Sequence, residues 1–488
     1  MAPARSDRAS PKKKKKKAPA LSDIGIAEEG DEDAEEAAQA AALLAEVLRP
    51  ARTGPPPDAA YLRPAEPTAR DRSGDTPRPP KRVAILTCGK SGEDLGFSTA
   101  VAALVHEYTS RHPSIEVLCF TNGFEGLLLN QSVAQQQATA PVESTGSPIG
   151  TSDVSLADPA ACVLRGLCQE GQDPLKLAAA QLQHDGIDAL HCVGDARANC
   201  TAAALAASLA AENYALTVCG LPKALENDTT PLTQTLGAWT AAEQTARFFL
   251  EQAGGSGGEG APKRLFVHEL LGSSGWLTAA AAAKYRDLLT ERFESAVEAA
   301  LVAVGADETP DETVDGNDID GAAAGAAASA AAAAAAAARE QAAVHGVYLP
   351  EMAPFDLAAE AARLSSLLQA VGRVNVFVAA GATASVSALW PMVGADEVVV
   401  VRSADFARHS AANQADRQLI TATAQLAVHR AVNRQSGVIG LDEASEEPWR
   451  LRLVGFERLK GGKAFECKKM PWFVDLLEKI GQASTDTE

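Results

Sequence analysis

From Lys81 onward the chain alternates short, uninterrupted apolar runs with longer helix-forming segments, and this rhythm restricts the fold more than any other feature. "RVAILTC" precedes "FSTAVAALVHEYTSRHP" and "SIEVLCFTNG", and "DPLKLAAAQLQHDG", "IDALHCVG", "TAAALAASLAAENY" and "ALTVCGLP" continue the series. Strands without polar alternation are buried on both faces, which requires helices on both sides of a largely parallel sheet. A second series starts near Thr240 and runs through "KRLFVHELLG", "GVYLP", "VNVFVAAGA" and "DEVVVVRS". The expectation is an α/β protein of two doubly wound, Rossmann-like lobes, with a ligand cleft where the strands end.

Other segments do not share this texture. Residues 1–80 carry a basic block from Lys12 to Lys17, an acidic block from Glu28 to Glu36 and a Pro/Arg-rich stretch, so a disordered tail is expected there. Within it "EEAAQAAALLAEVLRPAR" places Leu43, Leu44, Val47 and Leu48 on one side, the pattern of a short docking helix. Residues 305–341 form a low-complexity insert, acidic and then nearly pure alanine, which carries no plausible chemistry. A formal net charge of −19 and a pI near 5.0 argue against broad attraction to nucleic acid or an anionic membrane. No run is apolar enough to insert into a bilayer, and no apolar segment follows the lysines as in a secretory signal. The eight cysteines form no CxxC pair, which fits reduced thiols in an intracellular, most simply cytoplasmic, protein.

Three polar turns at predicted strand ends define the candidate site. "LTCGKSGEDLG" offers Gly89 and Lys90 in a loop whose N–H groups and following helix suit phosphate. "LHCVGDARANCT" holds Gly194, Asp195 and Arg197, and "GLPKALENDTT" holds Lys223, Glu226, Asn227 and Asp228. Three such loops at one sheet edge point to a ligand cleft more strongly than any single Gly-rich turn.

The ordered motifs "GFEGLL", "GSPIGTS", "DPLKLAAAQL", "GIDALHCVGD", "LTVCGLPKALENDTTPLTQTLGAWTAAEQTARF" and "HELLGSSGWL" resemble the phosphofructokinase family, pyrophosphate-dependent members above all. The resemblance extends through "LITATAQLAVHRAVNRQSGVIGLDE" and covers nearly everything from Lys81 to about Gln482. It implies a donor-phosphate lobe from residues 81–237 with about 400–455, and a sugar-phosphate lobe from 238–399 with about 456–488. It also implies phosphoryl transfer from pyrophosphate to fructose 6-phosphate with Mg²⁺, a reaction run by alignment, charge neutralisation and one carboxylate base.

Compared with that family, the chain departs at several functional positions. The family's Thr-Ile-Asp-Asn-Asp run corresponds to Ala224 through Asp228, so its base corresponds to Glu226, with the carboxylate displaced by one methylene. Lys223 matches the lysine of pyrophosphate-using members. The Gly-Gly-Asp-Asp turn corresponds to Gly194, Asp195, Ala196 and Arg197, which leaves Asp195 as the one candidate metal ligand. Asp153 stands where a phosphate-binding arginine is expected, with Lys90 or Arg197 as possible compensation. Ser273 and Ala380 replace sugar-phosphate contacts, while Arg408 matches an expected substrate arginine. The chain is also shorter than the family between Ala382 and Val398.

These departures lead to the reading of a catalytically impaired phosphofructokinase-like protein, without cofactor, that serves as a structural or regulatory subunit. Its implied partner is a second copy, an active paralogue or another subunit of a larger assembly. The alternative is an active, divergent pyrophosphate-dependent phosphofructokinase using Glu226, Lys223, Asp228 and Arg408 with Mg²⁺, and a further one is a sugar-phosphate or nucleotide sensor. Elsewhere, His191 and His268 read as satisfied core or cleft histidines, Trp239 and Trp276 as packing residues, and the glutamate of "YLPE", Glu351, as facing either the cleft or solvent.

Overall fold

A computed structural model describes residues 78–89, 95–134, 146–252, 260–305, 336, 339–340, 342–403, 408–447 and 449–482. The charged blocks, Lys90 and almost all of the alanine-rich insert therefore lie outside the described residues.

The first sheet contains β1 (Arg82–Cys88), β2 (Glu116–Phe120), β3 (Ser132–Ala134), β4 (Ala189–Gly194), β5 (Thr217–Pro222), β10 (Gly437–Leu441) and β11 (Leu451–Val454). Its strand order is β11-β10-β5-β4-β1-β2-β3, with a parallel centre and antiparallel pairing only at the β2–β3 and β10–β11 edges. The second sheet holds β6 (Arg264–Leu270), β7 (Gly346–Tyr348), β8 (Arg373–Ala379) and β9 (Glu397–Arg402) in the order β7-β8-β6-β9, all parallel. The helices are α1 (Phe97–Arg111), α2 (Gly123–Leu128), α3 (Pro159–Leu164), α4 (Pro174–His184), α5 (Ala196–Ala211), α6 (Ala238–Gln252), α7 (Trp276–Gly305), α8 (Leu357–Val371), α9 (Thr383–Val386), α10 (Gln414–Val432) and α11 (Pro471–Lys479).

The expected two-sided burial is visible residue by residue along β1. Val83 and Ile85 pack against Leu104 and Tyr108 of α1 and Leu419 and Ile420 of α10. Ala84 and Leu86 point the other way, toward Leu182 of α4 and Leu205 and Leu209 of α5. Each fully buried leucine contributes about 2 kcal/mol of transfer free energy, so this double cover holds the strand ends firmly. Local signals set the helix starts: Asp158 and Asp173 each precede a proline, and their carboxylates accept N–H bonds from Ala161 and Leu175 at 3.0 Å.

The second sheet has one well-covered face built from α6, α7 and α11 and another against α8. One strand departs from the sequence expectation. β9, read as a buried strand from its four valines, is an edge strand with Val398 and Val400 44% and 45% exposed, because nothing among the described residues pairs its outer side. The antiparallel β3 and β11 were not legible either, being only three and four residues long. His191 is buried and takes the Tyr108 hydroxyl at 2.7 Å, while His268 sits 4.3 Å from the Phe249 ring and 4.8 Å from that of Phe377. Burial lowers their pKa values to about 4 and about 3, so both are neutral core residues. Trp239 is buried and Trp276 packs half-buried between the two cores. Among the described residues no helix is long and apolar enough to cross a membrane, and every cysteine is free.

Candidate active site

The β4 turn is shaped by close approach. A Cβ on Gly194 would lie 2.7 Å from the Cys88 carbonyl oxygen, so only glycine lets β1 and β4 end side by side. Asp195 caps α5 by accepting the Ala198 N–H at 2.8 Å, and buried Asn199 donates to the Gly194 carbonyl at 2.8 Å. Ala196 turns into an apolar cluster with Leu232, Val438, Val454 and Leu459. Arg197 stays exposed, 3.9 Å from the Asp195 carboxylate.

The β5 loop is built around Asn227, whose φ of 53° places it in the left-handed region. Its side chain donates to Thr233 O at 3.0 Å and accepts the Thr235 N–H at 2.7 Å, while the Thr235 hydroxyl donates to the Ala224 carbonyl at 2.6 Å. This frame aims three neighbours in different directions. Lys223 is 3% exposed and holds its ammonium 4.6 Å from the Phe97 ring at the start of α1. Asp228 accepts the Gly462 N–H at 3.2 Å. Glu226 reaches to the second sheet, where it accepts the Ser273 N–H at 3.0 Å.

A cavity of about 210 Å³ lies between the two turns, lined by Asp195, Ala196, Arg197, Cys200, Asp228 and Gly461. The structure thus gathers Asp195, Arg197 and Asp228 as the sequence suggested. Glu226 is not among the residues that line this cavity; it points to the loop after β6. Gly461 and Gly462, from the C-terminal segment, were missed; the glycine pair in "KGGK" was the available signal. Burial and the nearby Asp195 raise the Cys200 pKa, and hydrogen bonding to Cys88 together with burial raises that of Cys192, so neither is a thiolate nucleophile at neutral pH.

The remaining candidates scatter around this centre. Gly89 donates to the Ser152 carbonyl at 3.2 Å, and the adjacent Asp153 pairs with Arg165 at 2.8 Å. Arg408 joins the start of α1 through its carbonyl, which accepts the Leu95 N–H at 3.0 Å. Ala380 follows β8 directly, and the next residue, Gly381, donates to the Gly272 carbonyl at 3.1 Å, beside Ser273. Among the described residues there is no group of three or more metal-ligating side chains. Mg²⁺ is ordinarily held by one or two carboxylates and substrate phosphates, however, and Asp195 and Asp228 on one cavity fit that mode.

Parallel strands that end in a lysine, three carboxylates and an arginine describe a phosphate-handling α/β protein. The chain belongs to the phosphofructokinase family. The family model described as phosphofructokinase matches residues 82–290. The pyrophosphate--fructose 6-phosphate 1-phosphotransferase of Methylotuvimicrobium alcaliphilum is 40% identical over 442 residues, spanning 83% of this chain and 97% of that protein. The protein of the same name from Mastigamoeba balamuthi is 39% identical, spanning 82% of this chain and 96% of that protein. In structure the chain is similar to a pyrophosphate-dependent phosphofructokinase from Marinobacter aquaeolei, with a TM-score of 0.56 at 16% identity over 83% of this chain and 92% of the other.

Proposed function

We propose that the chain is a pyrophosphate-dependent phosphofructokinase with a rearranged catalytic loop, acting on fructose 6-phosphate. The observation that carries this reading is the β5 loop, which carries Lys223, Glu226 and Asp228 within six residues in a chain matching nearly the full length of relatives named for that reaction. This favours activity over the impaired subunit that the sequence departures alone suggested.

In this reading Glu226 accepts the proton of the sugar 1-hydroxyl as its oxygen bonds to phosphorus and the bond to the leaving phosphate breaks. The Ser273 N–H holds the carboxylate at the junction of the two sheets, where a sugar bound by the second sheet would meet a donor bound by the first. Lys223 and Arg197 supply positive charge for the transferred group. Asp195 and Asp228 would hold Mg²⁺, whose role is to neutralise the diphosphate oxygens.

The test is direct: purified chain, Mg²⁺, diphosphate and fructose 6-phosphate, with fructose 1,6-bisphosphate measured. Turnover above about 1 s⁻¹ supports the reading, and its absence from folded protein overturns it. A second reading, an impaired subunit that pairs with an active paralogue, is favoured by Ala196 in its apolar cluster and by Asp153 held to Arg165. It predicts no turnover alone and a heteromer in native mass spectrometry of material from the source cell.

A further inference from the structure

We infer that Lys463 is a latch: it fastens the segment 459–463 across the β5 loop and so positions the Asp228 carboxylate at the cavity. The inference rests on the proposed activity but has a readout independent of it. The segment follows β11 and runs toward the core of the second sheet. An apolar side chain anchors it on either side: Leu459 packs with Ala196 and Leu232, and the Phe465 ring stands 5.6 Å from that of Phe473. Between these anchors, packing does not set the path. Gly462 has a φ of 74°, and a Cβ there would meet nothing within 4 Å; one on Gly461 would meet only Ala196, at 3.4 Å. Polar bonds therefore hold the glycine pair in place.

Those bonds converge on the β5 loop. Thr230 N–H donates to the Lys460 carbonyl at 2.8 Å, and Lys460 N–H donates to the Thr230 carbonyl at 3.0 Å. Beyond the glycines, Lys463 N–H donates to the Asp228 carbonyl at 2.7 Å. The Lys463 ammonium donates to the Leu232 carbonyl at 3.2 Å and pairs with the Glu443 carboxylate. Glu443 is itself tied to the loop, its N–H donating to the Pro231 carbonyl at 2.9 Å. One side chain thus joins the segment, the loop and the chain after β10. A second ion pair, Arg458 with Asp442 at 2.7 and 2.8 Å, lies before Leu459 and so does not fix the glycines. Lys463 is not among the residues that line the cavity; it acts through its neighbours, keeping Gly461 in the cavity wall and the Gly462 N–H on the Asp228 carboxylate at 3.2 Å. Without its ammonium the glycine pair can shift, and displacement of a working group by about 1 Å can cost 10²-fold in rate.

The experiment compares Lys463→Met and Lys463→Arg with the unaltered chain. Methionine keeps an apolar stem without charge or donor, whereas arginine keeps both, so Lys463→Met should lose at least about fivefold in kcat and Lys463→Arg less than that. The two substrates should respond differently: in Lys463→Met the KM for diphosphate rises at least about threefold, while that for fructose 6-phosphate moves less than about twofold, because Ser273 of the second sheet holds Glu226 independently. The Lys463–Glu443 pair is 25% and 36% exposed, and such pairs add little to global stability, so neither variant should shift the melting temperature appreciably. Amide hydrogen exchange gives the independent arm: Lys463→Met should speed exchange at Thr230, Lys460 and Gly462 by about fivefold or more, with strand β4 unchanged. If the unaltered chain does not turn over, the proposed activity fails, and exchange alone decides the latch. A smaller change in exchange at those three amides, a smaller loss of kcat in Lys463→Met, equal losses in the two variants, or KM values that rise alike for both substrates would each overturn the inference.

Discussion

The two turns that face the 210 Å³ cavity hang from neighbouring strands of one sheet, yet they have fared differently. After β4, Ala196 turns into an apolar cluster, and the turn is held by the glycine approach, the Asp195 cap and the Asn199 brace, with Asp195 and Arg197 left to face the cavity. After β5 the loop carries Lys223, Glu226, Asn227 and Asp228. The difference has a physical reason. In the β5 loop the polar side chains also satisfy buried backbone groups, so losing Asn227 would damage folding as well as chemistry, whereas a carboxylate at 196 serves chemistry alone. Retention of Asn227 therefore says little about activity, and Glu226 is the residue on which the comparison turns.

The largest expected effect breaks that comparison outright. Glu226→Gln keeps the shape and an acceptor for the Ser273 N–H but removes the base, so kcat should fall by about 10²- to 10⁴-fold with the melting temperature nearly unchanged. An active Glu226→Gln protein would place the β5 loop beside the β4 turn as architecture only.

How far the sequence discloses these turns depends on the range of the interactions involved. The parallel strands and their helices were legible because two-sided burial imposes an unbroken apolar run, as in β4, where all six residues are buried. Lys223, Asp195 and Asp228 were legible from their position just beyond those runs. The direction of Glu226 was not, because its partner Ser273 lies 47 residues away in another sheet. Gly461 and Gly462 were missed for the same reason: Gly462 reaches Asp228 across 234 residues, and the glycine pair in "KGGK" marks a turn without naming its partner.

A second test asks whether the strands that aim the turns share one weakness. His191 on β4 and His268 on β6 are kept neutral by burial, with pKa values near 4 and 3, and His345 is lowered to about 4 in the same way. Their folded values lie below the unfolded value of about 6.5, so the unfolded chain binds more protons on acidification. The stability they contribute is complete above about pH 6.5 and is lost as pH falls toward 4 for His191 and His345 and toward 3 for His268. Asp416 and Asp287, raised to about 6 by burial, act in the opposite sense between about pH 3.8 and 6 and blunt the slope. Replacing His268 by leucine should remove on the order of 3 kcal/mol of the loss seen between pH 7 and 4 by urea titration. An unaltered slope would show that His268 is not held neutral.

Asn227→Ala examines the architectural half of the β5 loop. It leaves the buried Thr235 N–H without its acceptor and puts alanine at a φ of 53°, for a cost of about 2–4 kcal/mol in denaturant titration. The cost should be the same with or without diphosphate. A cost under about 0.5 kcal/mol would mean that Asn227 is kept for chemistry after all.

The smallest effect addresses the pocket at the end of β1, lined by Gly89, Asp153, Asp195 and Arg197, where the resemblance leads one to expect a phosphate-binding arginine in place of Asp153. Its pairing with Arg165 is exposed on both sides, 42% and 46%, so Asp153→Asn should change stability by less than about 1 kcal/mol. The kinetic consequence depends on where the donor lies. A diphosphate passing within about 4 Å of Asp153 in a largely aqueous setting meets roughly 1 kcal/mol of repulsion per unit charge, and removing it should lower KM for diphosphate about fivefold. Arg165, released from Asp153, would add attraction in the same direction. An unchanged KM in an active protein would place the donor away from Asp153 and nearer Lys223 and Arg197. The β5 loop and the cavity wall would then carry the phosphate contacts that the β1 turn has given up.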